Sequence, residues 1–302
     1  MSDTKYAYAV ARIRALENGL FSSAQIEQLL SVKSYEGALR FLTEHGWGDA
    51  DTPLSAEAIL TREKAESWET VRDLLKGDDA ILAVLSYGDL YHNLKAAIKD
   101  AAAPGSHGNV YFDDCEVDGA RMSKIVAEKD WQALPAHMRE AAKEASETFL
   151  HTGDGQLCDI IVDRSALAAI YECGKNASDA IIRDYAETTV AVADIKIAVR
   201  SQKTGKHLDF MRRAMAPCDS LNIERLSQAA LGGVGAICEY LEGTRYGGGA
   251  QALKESPSAF ERWCDNQLIE TIKPQKYNPF TAGPLVAYIL AKENEIKTVS
   301  RR

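Results

Sequence analysis

Apolar residues along this chain recur at the spacing of a helix rather than of a strand. Ile26, Leu29 and Leu30 stand at i, i+3 and i+4, and Ala38, Leu39 and Leu42 fall on a second stripe of the same kind. Residues 54–76 and 132–150 are rich in Ala, Glu, Lys and Leu, which give up little side-chain freedom in a helix. Ser22 with Gln25, and Ser258 with Glu261, have capping-box spacing, and Pro257 marks the chain turning into the second of these helices. Alternating runs between hairpin turns are almost lacking, residues 110–112 being the one short strand candidate. The pattern predicts an all-α protein. Residues 101–114 and 201–209 are expected to connect domains, and residues 243–251 to form a loop within one.

A short motif returns along the chain. An apolar stripe ends in a polar–aliphatic–basic triplet at Arg12-Ile13-Arg14, Asn93-Leu94-Lys95, Asp194-Ile195-Lys196 and Glu295-Ile296-Lys297. The first step is 81 residues and the next two are 101 each. Between the triplets lies a second marker, an apolar helical segment at residues 26–42, 125–134 and 223–241. Tyr35 and Trp131 within it are 96 residues apart, and Leu42 and Leu241 are each followed by an aromatic–glycine step, Trp47-Gly48 and Tyr246-Gly247. Chance likeness among Ala-rich helices accounts for one such marker less awkwardly than for several in the same order. A threefold repeat of about 100 residues is therefore expected. Its domains are residues 1–105, 106–205 and 206–302, three similar helical bundles in a pseudo-threefold, funnel-like arrangement. The N-terminal triplet would supply the helix that the first bundle otherwise lacks, and the basic third position would be a surface cation over an aliphatic seam.

Composition narrows the function classes. A length of 302 residues allows two or three domains, and 46% hydrophobic with 26% charged residues excludes a disordered chain. A net charge of −9 repels phosphate backbones and anionic headgroups, which argues against nucleic-acid partners and against direct lipid insertion. Six cysteines stand singly without C-x-x-C, as reduced core thiols do. No apolar run reaches the ~18 residues of a membrane helix, and Arg12 and Arg14 interrupt any signal-peptide core, so a soluble protein is expected.

Candidate chemistry is sparse. Asp114, Glu116, Asp118 and Gly119 sit at calcium-loop positions 1, 3, 5 and 6, but position 12 is Ile125 where a bidentate Glu is needed. The loops at residues 244–250 and 203–207 do not fit a phosphate-binding loop and follow no predicted strand. His45, His92, His107, His137, His151 and His207 form neither E-x-x-H nor H-E-x-x-H, and Asp78-Asp79 is a carboxylate pair without partners, most simply an N-cap. No catalytic, cofactor-binding or metal residue is assigned. A non-catalytic helical scaffold is the expectation from the residues alone.

Three blocks point further. YAYAVARIRALENGLFSSAQIEQLLSVKSYEGALRFLTEHGWGD at residues 6–49, the stretch with the Val-Asp-Arg step at residues 159–205, and AGPLVAYILAKENEIKTV at residues 282–299 resemble the C subunit of V-type (archaeal-type) ATP synthases, the homologue of the eukaryotic d subunit. Members of that family continue past the Glu-Ile-Lys segment, whereas this chain stops at Arg302, so either a short closing helix in the third repeat or a truncated C-terminus is expected. The resemblance implies a non-catalytic central-stalk rotor subunit without cofactors, on the cytoplasmic face of the membrane. Its implied partners are the shaft subunits of the rotary ATPase and the membrane proteolipid ring. The alternatives are a generic helical-repeat binding scaffold, against which the long period counts, and a helical metal enzyme, against which the ligand spacing counts.

Overall fold

The computed structural model describes residues 6–49, 54–76, 80–102, 111–112 and 115–300. Every regular element among them is helical, as the spacing of apolar positions requires. The α-helices are α1 (Ala7–Leu16), α2 (Ser23–Ser31), α3 (Tyr35–Glu44), α4 (Ala56–Leu75), α5 (Ala80–Ala102), α6 (Gly119–Glu128), α7 (Arg139–Thr152) and α8 (Gly155–Lys175). They continue with α9 (Ala180–Lys203), α10 (Leu208–Ala214), α11 (Ile223–Gly232), α12 (Val234–Glu242), α13 (Gly247–Glu255), α14 (Pro257–Ile272) and α15 (Gly283–Ser300). Asp78, Asp79, His107, Val110 and Asp114 lie outside the described residues.

One compact unit joins both ends of the chain, residues 1–81 and 272–302. Its core gathers Leu29, Leu39, Phe41, Leu42, Trp47 and Ile59 around Val299 of α15, and α15 also packs on α4 and α1. Phe21 stacks on Trp47 with centroids 5.1 Å apart. Serine caps start three of its helices. Ser22 and Gln25 exchange hydrogen bonds in the expected capping box, Ser34 Oγ accepts from the Gly37 amide at 3.1 Å, and Ser55 Oγ accepts from that of Ala58 at 3.2 Å. Each cap satisfies an amide the helix cannot, for about 1 kcal/mol.

Residues 82–271 form the other unit, with two cores. In the first, Leu90 and Leu94 of α5 pack with Met122, Met138, Ala142 and Val162. In the second, Ile195 of α9 packs with Met211, Leu226, Ile237, Leu241 and Phe260. Helices α8 and α9 approach so closely at Gly174 that a Cβ there would come within 2.0 Å of the Ala186 Cβ. A side chain at that position would push the two helices apart.

Four local expectations change. The apolar marker segments are not single helices: they break at Val32–Ser34, Lys129–Asp130 and Gly233, where φ is +56° at Lys129 and +101° at Gly233. Ser258 does not cap α14. Ser256 does, accepting from the Ala259 amide at 3.0 Å, because Pro257 lacks an amide and occupies the first helical position. Residues 247–251 are helix rather than loop, since Gly248 and Gly249 leave room for Trp263, whose ring a Cβ at either position would meet at 2.8–2.9 Å. Residues 201–203 still belong to α9, and the local break is Thr204–His207.

Candidate functional site

The first residue of each later triplet is polar, yet it faces inward. Asn93 and Asp194 are fully buried and Glu295 nearly so, each on a long helix among apolar neighbours. A buried polar group needs a partner. All three find it in the backbone of an incoming segment. Asn93 Oδ1 accepts the Phe112 amide at 2.8 Å while its Nδ2 donates to the Phe112 carbonyl at 2.8 Å. Asp194 Oδ1 accepts the Ala216 amide at 3.1 Å. Glu295 Oε1 accepts the Phe21 amide. Each side chain thus satisfies backbone outside any helix and fixes the position of that segment against its long helix. Tyr111 and Phe112, read from the sequence as part of a short strand, belong to no strand, and Phe112 pairs its amide and carbonyl with the Asn93 side chain instead.

The electrostatics of the three differ. Glu295 belongs to an ion cluster inside the first unit. Lys292 Nζ lies 2.9 Å from Glu295 Oε2, 2.9 Å from Glu63 Oε2 and 4.1 Å from the centre of the Trp47 ring. Glu63 Oε1 also accepts the Gly48 amide at 3.2 Å, and the Trp68 indole donates to Glu293 at 3.0 Å. Burial pushes the Lys292 ammonium down, but the hydrogen bonds to Glu63 and Glu295 outweigh it and hold its pKa above the ordinary value. Asp194 has no cation at bonding distance among the described residues. Its Oδ2 is buried without a hydrogen-bond partner, and burial raises its pKa to about 8 despite the Ala216 amide. Nearby, the Arg164 Nε donates to the Met215 carbonyl at 3.1 Å, and Glu187 accepts the Asp219 and Ser220 amides at 3.1 and 2.8 Å, tying down the same incoming segment.

The third triplet position behaves as a paired surface cation. Lys95 meets Asp163 at 2.7 Å, Lys196 meets Glu261 at 3.3 Å and Asp265 at 3.8 Å, and Arg14 meets Glu17 at 2.8 Å. The N-terminal copy departs from the others. Arg12 is exposed, and the Phe21 amide that follows α1 is held by Glu295 of α15.

Among the described residues no group of three or more His, Cys, Asp or Glu could hold a metal ion, and no helix is long and apolar enough to cross a membrane. Asp118 caps α6 through the Arg121 amide at 2.9 Å, which leaves the calcium-like segment a helix start. His45 caps the end of α3, stacked on Phe41, and His207 precedes α10. All six cysteines are free thiols, with Cys158, Cys238 and Cys264 buried. Sequence reasoning missed the Lys292 cluster. Its one legible trace is Lys292 and Glu295 at i, i+3 behind the apolar run 284–291, since Glu63 lies too far along the chain for any spacing rule.

Comparison with known proteins bears on the whole chain. The profile of the ATP synthase (C/AC39) subunit family matches residues 9–300. The C subunit of the A-type ATP synthase of Methanothermobacter thermautotrophicus is 25% identical over 97% of this chain and 82% of its own length. Its counterpart from Methanocaldococcus jannaschii is 22% identical over 97% of this chain and 81% of its own.

Proposed function

On the premise that this chain belongs to the ATP synthase (C/AC39) subunit family, we propose that it is a non-catalytic central-stalk subunit of a rotary ATPase. It couples the rotating shaft subunits to the membrane proteolipid ring, on the cytoplasmic face of the membrane. The observation that carries this reading is the set of three buried polar anchors. A coupling piece must resist twisting, and a side chain bonded to the backbone of the segment entering its bundle removes a hinge where one would otherwise form. The anchors at Asn93, Asp194 and Glu295, 101 residues apart, also favour a threefold repeat with the C-terminal helix closing the first bundle, and with it a pseudo-threefold funnel. Such a scaffold needs no active site.

The test is reconstitution. An ATPase assembled without this chain should hydrolyse ATP without moving ions, and adding the chain back should restore the coupling and bring down shaft and ring subunits together. Full coupling in its absence would overturn the reading. The isolated chain is expected neither to hydrolyse ATP nor to bind it, and a low-micromolar affinity by calorimetry would contradict that.

A further inference from the structure

Two bundles carry a groove at the same place. In the first unit, Val299 and Ser300, four and five residues past the Glu295 anchor, line a groove of about 350 Å³ with Leu29, Leu42 and Leu60. In the other unit, Ala97 and Ile98, four and five residues past the Asn93 anchor, line one of about 470 Å³ with Val126 and Phe149. Each groove also holds a lysine eleven residues after a helix N-cap, Lys33 after Ser22 of α2 and Lys129 after Asp118 of α6. Two bundles with unlike sequences keep an apolar trough and a lysine at matching positions.

The chemistry of the first groove indicates its occupant. Lys33 is its only charged lining residue among those described, is exposed and is in no ion pair among the described residues, in a chain of net charge −9. Tyr35, 57% exposed, stands at its rim. Its walls are helices with the Val32–Ser34 break between α2 and α3, none of them a strand edge, and its size suits side chains presented at i, i+3 and i+4 by a helix. We propose that this groove docks a helix of a partner protein that presents an apolar stripe and one carboxylate to Lys33. The second groove is lined by Asp100 as well as Lys129, so it lacks the lone cation of the first and is not part of the proposal. Docking at the first groove goes beyond the stalk reading and does not depend on it, because that groove would bind such a helix whether or not the chain couples a rotor.

The experiment uses the full chain and two synthetic helical peptides, with leucines at i, i+3, i+4 and i+7 and either Glu or Gln facing the lysine, followed by fluorescence anisotropy. The Glu peptide should bind about three- to fivefold tighter at low salt, and the difference should vanish at high salt and in Lys33→Gln. Lys33 is exposed, so that variant folds. Ala38→Trp, which fills the groove from α3, should weaken both peptides about tenfold, its melting curve showing that the unit is intact. Lys129→Gln should change the Glu-to-Gln ratio little. Equal binding of the two peptides, or no effect of Lys33→Gln and Ala38→Trp, would overturn the proposal. So would concentration-dependent self-association that Ala38→Trp abolishes, since the occupant would then be a second copy.

Discussion

Glu295 and Asp194 each open a recurring triplet and each accept a backbone amide, yet one is paired with a buried cation and the other has no cation at bonding distance among the described residues. Glu295 has Lys292 at 2.9 Å, and Lys292 has Glu63 as a second partner and the Trp47 ring against it. Asp194 has a single amide and an Oδ2 that meets nothing. The fold requires an acceptor for an incoming amide, and it tolerates either a compensated charge or a proton. What it does not tolerate is a bare buried charge, which costs several kcal/mol before any partner is counted.

The largest effect expected from breaking this contrast is at Lys292. Lys292→Met keeps the bulk and removes the cation, leaving two carboxylates facing each other in an apolar core. Removing one partner of a buried ion pair costs about 3–5 kcal/mol. The loss should be confined to the first unit. Trp47 and Trp68 report on that unit and Trp131 and Trp263 on the other. In urea unfolding followed by fluorescence, with single-tryptophan variants, the Trp47 and Trp68 transitions should move to lower urea while the others stay. Equal shifts in both units would mean that Lys292 supports something other than its own bundle.

Asp194 should show itself through pH instead. Its folded pKa, about 8, lies above the ordinary carboxyl value of 3.8, so the folded chain keeps a proton that the unfolded chain releases. The stability this confers is whole below the unfolded pKa and drains away as pH climbs to about 8, by about 1.4 kcal/mol per pH unit within that window. The groups facing the carboxyl are Arg164 from α8, Glu187 from its own helix, and Cys218 with the Ala216 amide from the incoming segment. The raised pKa of Lys292 keeps that cation charged across the whole window, so it adds no slope there. Asp194→Asn retains an acceptor for the Ala216 amide and has no proton to lose. The variant should match the natural chain near pH 5 and exceed it by roughly 4 kcal/mol at pH 8, with a flattened pH profile. An unchanged slope would show that Asp194 is already ionised at neutral pH.

Helical periodicity, the Ser22 capping box and residues 56–75 as a helix were legible because they depend on residues within one turn of each other. The anchors were not. The triplets drew attention to their basic third position, which is a constant residue type but an ordinary surface cation. The first position carries Asn, Asp or Glu, and what those share is acceptance of a distant amide, which no single side-chain identity encodes. The Lys292 cluster joins residues from opposite ends of the chain, so only the folded unit reveals it. The glycines before Gln251 misled for a related reason. Glycine favours loops in general, but here it admits the Trp263 ring to a helix, and that neighbour comes from the next helix.

Asn93 sharpens the comparison because it solves the problem without charge. Asn93→Leu removes both hydrogen bonds to Phe112 and should cost about 1–3 kcal/mol in the 82–271 unit. Asn93→Asp is the more telling change, for an aspartate can accept the amide but must be protonated to donate to the carbonyl. It should reproduce the Asp194 behaviour, a loss of stability on raising pH above the ordinary carboxyl range. The smallest expected effect is at the neighbouring surface pair. Lys95 is 24% exposed and Asp163 55% exposed, so solvent screens their 2.7 Å contact, and Lys95→Gln should cost less than about 1 kcal/mol and fade with added salt. A salt-independent loss as large as that of Asn93→Leu would mean that the recurring cation, rather than the buried polar residue two places before it, holds this helix to its bundle.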